Sequence, residues 1–307
     1  MKAYVVDSGD AAGYRLQEVA EPRPAPDELV VAVDAFSLNH GELPHGGMFP
    51  PGTVPGWDAA GRVVTAAADG SGPPVGTRVV TQGHGGAWAE RRAVRSANAA
   101  PIPDALDAER ASTLPVAGGT ALQALRVLGG VLGRRVLITG ASGGVGRFAL
   151  QLASMAGAEA VALTSSDAKR AELQALGANE VLTSLDALSA PVFGVLENVG
   201  GETLVQAWQH LRPGGTLVSI GAASGQPAAF PPYATVGPPK TLRSFTLGSS
   251  MLPGETLAED LGYLARLLAA GRLDPQIAWR GSWSQLGEAL DGLANRTISG
   301  KAVLRVS

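Results

Sequence analysis

The chain has 307 residues, 45% hydrophobic and 17% charged, with 24 Lys and Arg against 27 Asp and Glu and a net charge of −3. That length predicts about two domains with enough apolar side chain for a sizeable core, and the balanced charge, with no basic block, argues against a nucleic-acid partner. The absence of cysteine excludes disulfides, zinc–thiolate sites and thiol nucleophiles.

No run approaches the roughly 20 apolar residues that a membrane-spanning helix needs, and the mean hydropathy is only +0.13. The opening residues, Met1 to Asp7, lack the apolar stretch and cleavage site of a signal peptide. They read as a first strand, and a cytoplasmic location is the default expectation. Residues 1–100 have β character, with short apolar runs at Leu29–Val33, Gly61–Thr65, Arg78–Thr81 and Trp88–Val94. Prolines between them keep helices from forming in the gaps. From Asp107, a plausible N-cap, the pattern turns helical.

Over residues 135–250 strands and helices alternate, as in a parallel sheet with crossover helices. Strands are expected at Arg135–Thr139, Ala160–Thr164, Val192–Leu196, Thr216–Ile220 and Phe245–Leu247. Helices are expected after residue 144, with Val145, Phe148, Leu152 and Met155 as the buried face, over Asp167–Leu176, and around Leu204, Trp208 and Leu211. Two further helices, Leu257–Ala270 and Trp283–Leu293, precede a closing strand, Ala302–Val306.

Gly140-Ala141-Ser142-Gly143-Gly144-Val145-Gly146 stands where a strand yields to a helix. Glycines there let backbone N–H groups approach a pyrophosphate, and the helix N-terminus adds partial positive charge. Ala141 replaces the first glycine of the strict fingerprint, so the strand–turn–helix context carries the assignment. The same residues also fit the nucleophile elbow of an α/β-hydrolase, with Ser142 as nucleophile. That rival needs a downstream histidine, and only His210 qualifies, on a helix rather than on a loop above the sheet. The dinucleotide reading is preferred.

A site for NAD places an acid at the end of the second strand, about 20 residues past the glycines, for the ribose 2′-OH. Here Thr164, Ser165 and Ser166 stand there, followed by Lys169 and Arg170. Hydroxyls and cations suit a 2′-phosphate, so NADP(H) is the expected cofactor. Ordinary solvated charges are the alternative reading of Lys169 and Arg170, and Asp167 can cap the next helix. Loops after later strands, Asn198-Val199-Gly200-Gly201 and Gly221-Ala222-Ala223, are expected to line the cofactor crevice.

Four stretches carry a wider resemblance: Ser37-Leu38-Asn39-His40-Gly41-Glu42, Val54-Pro55-Gly56-Trp57-Asp58-Ala59-Ala60-Gly61, Gly118-Gly119-Thr120-Ala121 and the glycine turn, with the tail Gly300-Lys301-Ala302-Val303-Leu304. On these the chain resembles the zinc-independent medium-chain dehydrogenases/reductases, the quinone oxidoreductase (zeta-crystallin-like) family. The resemblance implies an α/β protein with a GroES-like β-rich catalytic domain, residues 1–115 and 255–307, and an inserted Rossmann domain of doubly wound parallel sheet, residues 116–254. It implies hydride transfer from NADPH to a quinone or an α,β-unsaturated carbonyl compound between the domains, and a homodimer. The family's zinc branch has Cys and His near 39–40 and His near 57, where this chain has Asn39, His40 and Trp57, so no metal is expected. Enoyl reductases of polyketide synthases resemble it around Gly47-Met48-Phe49-Pro50 but often carry Tyr at the position of Phe49, which cannot donate a proton.

By the same resemblance Asn39 is the first candidate to hydrogen-bond the substrate oxygen, an interaction worth roughly 3–4 kcal/mol of barrier when well placed. His40 and His84 are candidate donors or proton sources. Thr120 is expected against the nicotinamide or its ribose, with Thr246, Leu247 and Gly248 holding the carboxamide. Each has a plainer reading: Asn39 fixing a turn, His40 serving structure, His45 and His84 sitting solvated among glycines, and Asp58 binding Arg or backbone. A tailoring enoyl reductase of polyketide metabolism, and a cofactor-binding structural or regulatory protein without turnover, remain alternatives.

Overall fold

The computed structural model describes all residues except 8, 11, 12, 44–48, 250, 253 and 307. His45, Gly47 and Met48 therefore lie outside the described residues. Contacts divide the chain into two units, Met1–Gly119 with Leu252–Ser307, and Thr120–Met251.

In chain order the first unit holds β1 (Lys2–Val6), β2 (Tyr14–Glu18), β3 (Glu28–Leu38), β4 (Asp58–Thr65), β5 (Arg78–Gln82), β6 (Arg91–Arg95) and β7 (Ala99–Pro101). Helix α1 (Ala108–Ser112) follows, and Asp107 caps it by accepting from the Arg110 amide. A π-helical turn at Leu114–Gly118 leads into α2 (Gly119–Leu128), along which the chain enters the second unit.

The second unit continues with β8 (Arg135–Ile138), α3 (Gly144–Met155), β9 (Glu159–Leu163), α4 (Arg170–Ala175), β10 (Glu180–Leu182), β11 (Val192–Glu197), α5 (Gly201–Gln209), β12 (Leu211–Ser219) and β13 (Thr241–Ser244). The chain then returns to the first unit as α6 (Leu257–Ala269), β14 (Ile277–Ser282), α7 (Leu286–Ala294) and β15 (Lys301–Arg305).

Strand β3 is the spine of the first unit. It pairs antiparallel with β4, β6 and the C-terminal β15, in a seven-stranded sheet ordered β14-β15-β3-β4-β5-β7 with β6 beside β3. Its 11 residues are almost all shielded, which matches the continuous apolar run. Tyr4, Tyr14, Phe36, Trp88 and Trp283 fill one side of this sheet. Tyr4 and Tyr14 send their hydroxyls to the Trp283 and Glu42 carbonyls at 2.9 and 2.7 Å, so neither phenol is buried unpaired.

The second unit is a six-stranded parallel sheet ordered β10-β9-β8-β11-β12-β13. This is the doubly wound Rossmann order, and its switch point lies between β8 and β11. The fold is thus α/β, a GroES-like β-rich unit joined to a Rossmann unit.

Several elements differ from expectation. The last strand of the parallel sheet is Thr241–Ser244, not Phe245–Leu247. All four of its residues are exposed, so burial could not mark it; backbone pairing with β12 alone defines it. The helix expected over Asp167–Leu176 starts as a 3-10 turn, Asp167–Lys169, before α4. On α3 the expected face is only half right: Phe148 and Leu152 are buried, Met155 is exposed, and Arg147 is buried in its place.

Candidate functional site

Five segments follow parallel strands and so share the carboxyl edge of the second unit's sheet: residues 140–146, 164–166, 198–199, 221–222 and 246–248. At the first, Gly140 takes φ +57°, a left-handed turn that closes β8. Gly146 faces that turn so closely that a Cβ would lie 2.6 Å from the Gly140 carbonyl oxygen. Only glycine lets α3 start there. Gly143 is the N-cap, and the first-turn amides of Gly144, Val145 and Gly146 have no acceptor within the helix. They present the N–H groups and the positive helix end that suit a pyrophosphate.

Ser142 sits in this turn with its carbonyl accepting from Arg147 Nε at 2.7 Å, and its hydroxyl receives Thr164 Oγ1 at 3.4 Å. Thr164 is buried at the end of β9, while Ser165 and Ser166 are exposed beyond it. Lys169 follows in the next turn, 3.8 Å from Glu172. His210 lies at the C-cap of α5, and its carbonyl accepts from the amide of Val192 at the start of β11. That is the amino edge of the sheet, a full strand length from Ser142, so the pair cannot form a hydrolase dyad.

The loop after β11 is organised by a residue that sequence reasoning missed. Glu197 is fully buried, and its carboxylate accepts from Thr139 Oγ1 at 3.0 Å, Val199 N at 2.8 Å and Gly200 N at 2.9 Å. Burial raises its pKa against the pull of these donors. Thr139 in turn accepts from Asn198 N, and Asn198 Nδ2 donates to the Thr139 carbonyl, both at 2.9 Å. Beside them Gly221 approaches so closely that a Cβ would lie 2.7 Å from the Asn198 carbonyl oxygen, and Ala222 follows in the same loop. The ends of β8, β11 and β12 are thereby locked together.

Thr120 is buried one turn before Gln123 on α2. Gln123 Oε1 accepts from the Gly248 amide at 2.8 Å, which ties the Thr246-Leu247-Gly248 segment to the helix that carries Thr120. Gln123 was not singled out from sequence, because a glutamine on a helix gives no signal until its partner is placed.

In the first unit, Asn39 N-caps a 3-10 turn, His40–Glu42. Its Nδ2 donates to Asp58 at 2.9 Å and to Glu42 at 3.3 Å, and its Oδ1 accepts from Lys301 Nζ at 2.8 Å. Both amide hydrogens are therefore taken by carboxylates. Asn39 thus fixes the turn that carries His40.

Asp58, Glu42 and Lys301 are nearly or fully buried. Lys301 Nζ also reaches the Leu38 carbonyl at 2.9 Å and Asp58 at 3.6 Å. Glu42 accepts from the Asn39 and Trp57 amides, each at 2.6 Å. Desolvation first, and then the Asp58 charge, push its carboxyl up to about 8. Desolvation likewise raises Asp58 and lowers Lys301, each opposed by the other's charge. Buried Arg92 donates to the Trp57 and Gly85 carbonyls at 3.0 and 2.8 Å.

His40 is exposed at the edge of this cluster, with its pKa lowered by partial desolvation and then by Arg296; His84 is exposed on its loop. Phe49 and Trp57 rings lie 5.8 Å apart. Asn39 is bound into this cluster, and Trp57 lies beside it through its amide on Glu42. No group of three His, Asp or Glu able to hold a metal occurs among the described residues.

Two family models match the chain: the alcohol dehydrogenase GroES-like domain over residues 25–104 and the zinc-binding dehydrogenase over 144–261. The chain is 31% identical over 325 residues to a probable mitochondrial zinc-binding oxidoreductase of Arthroderma benhamiae, covering 97% of this chain and 95% of that protein. It is 24% identical over 348 residues to an acryloyl-coenzyme A reductase of Sulfurisphaera tokodaii, covering 99% of this chain and 100% of that one. Its fold matches the quinone oxidoreductase of Coxiella burnetii with a TM-score of 0.85 and 25% identity, over 100% of this chain and 99% of that one. The chain belongs to the medium-chain dehydrogenase/reductase family and is an oxidoreductase of that family.

Proposed function

We propose that this protein is an NADPH-dependent reductase of quinones or electron-poor alkenes that works without a metal. The observation that carries the cofactor assignment is the corner after β9, where Thr164, Ser165, Ser166 and Lys169 stand and the acid that would take a ribose 2′-OH is missing. The acceptor class rests on the names of the relatives, a quinone oxidoreductase and an acryloyl-coenzyme A reductase. The metal-free reading rests on the lack of cysteine and on Asn39 and Trp57 as non-ligands.

When bound, the cofactor supplies the hydride; the chain orients it and shapes the charge around the reacting atoms. Ser142 to Gly146 hold the pyrophosphate through backbone amides. Asn198, Val199, Gly221 and Ala222 line the crevice, their positions set by Glu197 and Thr139. Thr120 and Thr246 to Gly248 hold the nicotinamide end, with Gln123 fixing the Gly248 amide. In the first unit Asn39, which fixes the His40 turn, is the first candidate to hydrogen-bond the substrate oxygen, and His40 or His84 supplies the proton that Phe49 cannot.

The outer edge of β13 has no strand partner among the described residues, which supports a homodimer. A cytoplasmic location is the accompanying proposal. The purified protein is expected to consume NADPH with benzoquinones or cyclic enones, followed at the nicotinamide absorbance, and to use NADH far less. Equal use of NADH overturns the cofactor assignment. Tight NADPH binding without consumption across an acceptor panel overturns the redox reading in favour of a cofactor-binding protein.

A further inference from the structure

The corner that follows β9 contains an anion that a 2′-phosphate site does not need. Glu172, on α4, is half-exposed, and its Oε1 accepts from Arg147 Nη1 at 2.5 Å while its Oε2 lies 3.8 Å from Lys169 Nζ. The Arg147 hydrogen bond, ahead of the Arg147 and Lys169 charges, holds the Glu172 carboxyl below the usual range, so it is ionised at neutral pH. Arg147 is itself almost fully buried directly after the last glycine of the phosphate turn, where its Nε binds the Ser142 carbonyl. One carboxylate therefore faces two cations, one rooted in the phosphate turn and one in the 2′ corner. Arg170 close by is matched by Asp167. The local balance is three cations against two carboxylates, a single net positive charge opposite a phosphate that carries nearly two negative ones.

We propose that Glu172 is a specificity-determining residue that limits discrimination between NADPH and NADH by neutralising Lys169 and Arg147 in the absence of a 2′-phosphate. The inference rests on the NADPH reading of this same corner. A 2′-phosphate competes with Glu172 for Lys169 and is repelled by its charge. A ribose 2′-OH meets neither effect. Removing the charge while keeping the shape thus strengthens only the phosphorylated ligand. A glutamine at 172 preserves an oxygen acceptor for Arg147, so the phosphate turn keeps its support.

The test is calorimetric titration of 2′,5′-ADP and 5′-AMP into the cofactor-free protein and its Glu172→Gln variant, with thermal melting to check that both are folded. The variant is expected to bind 2′,5′-ADP about fivefold more tightly, the effect of one partly exposed charge, with 5′-AMP unchanged. Adding 0.5 M salt should shrink the gain, on the order expected from a Debye length of a few Å. If the wild type prefers 2′,5′-ADP but the variant's ratio is the same or lower, the role of Glu172 is overturned and the NADPH reading stands. If the wild type binds the two nucleotides equally, the NADPH reading fails and this inference fails with it. Should Glu172→Gln not fold, Glu172→Ser serves: tighter 2′,5′-ADP binding with 5′-AMP unchanged supports the role of Glu172, and an unchanged ratio overturns it.

Discussion

Two buried carboxylate sites, one in each unit, solve the same problem differently. In the parallel sheet Glu197 is satisfied by N–H and O–H donors alone, the amides of Val199 and Gly200 and the Thr139 hydroxyl. In the antiparallel unit Asp58 and Glu42 lie close to Lys301, with Asn39 bridging all three. The carboxyl edge of a parallel sheet supplies turning backbone whose amides point inward, so a carboxylate there needs no cation. A paired antiparallel strand spends its own amides on its neighbours, as Asp58 does within β4. Asp58 draws the Val116 amide at 3.0 Å and Glu42 the Asn39 and Trp57 amides from loops outside that ladder, and the acid pair also recruits the charge of Lys301. Only the second arrangement depends on a residue from the far end of the chain.

That contrast is most exposed to Lys301→Met. Leaving Asp58 without its counter-charge is expected to cost about 3–5 kcal/mol, read as the urea midpoint, and Asp58→Asn in the same chain should recover part of it. A loss below about 1 kcal/mol would break the comparison. Glu197→Gln should cost less, about 1–3 kcal/mol, because an amide nitrogen then faces the Val199 or Gly200 donor, and nucleotide affinity of the cofactor-free protein should drop with it.

Glu42 sharpens the comparison through pH. Its folded pKa lies above its ordinary value, so between about pH 4.5 and about pH 8 the native state holds a proton that the unfolded state has released. Its contribution to stability is therefore full at the acid end of that window and is lost as pH rises. The slope cannot exceed about 1.4 kcal/mol per pH unit for one proton. Glu42→Gln should flatten the chemical-denaturation profile across this window; an unchanged slope would reject the protonated Glu42.

Smaller effects serve as controls outside both sites. Asp107→Ala removes the cap from α1 and should cost about 1 kcal/mol. Arg95→Ala removes an exposed pair with Asp27 and should stay within about 0.5 kcal/mol.

Much of the Rossmann unit is legible in the chain. Strands β8, β9, β11 and β12 announce themselves as short apolar runs, though β10 and β13 do not; the glycine turn has few physical meanings, and the missing acid after β9 is read directly. Gly140 and Gly146 are local requirements: a left-handed turn and a close approach both show in sequence as glycine. Asp107 as a cap is equally local. The GroES-like unit is legible chiefly through motif resemblance.

What the sequence determined by itself is therefore short-range: the order of most elements, the glycine turn, the lack of thiol ligands and the hydroxyl-and-lysine corner. Tertiary structure decided the rest. Arg147 reads as a surface residue of an amphipathic helix, yet it is buried because Ser142 and Glu172 receive it. Asn39 and Lys301, 262 positions apart, meet only because β15 pairs with β3. Hydrophobic periodicity reports which side chains leave water, whereas a buried polar group is tolerated only once its partners are assembled, and those partners come from distant strands.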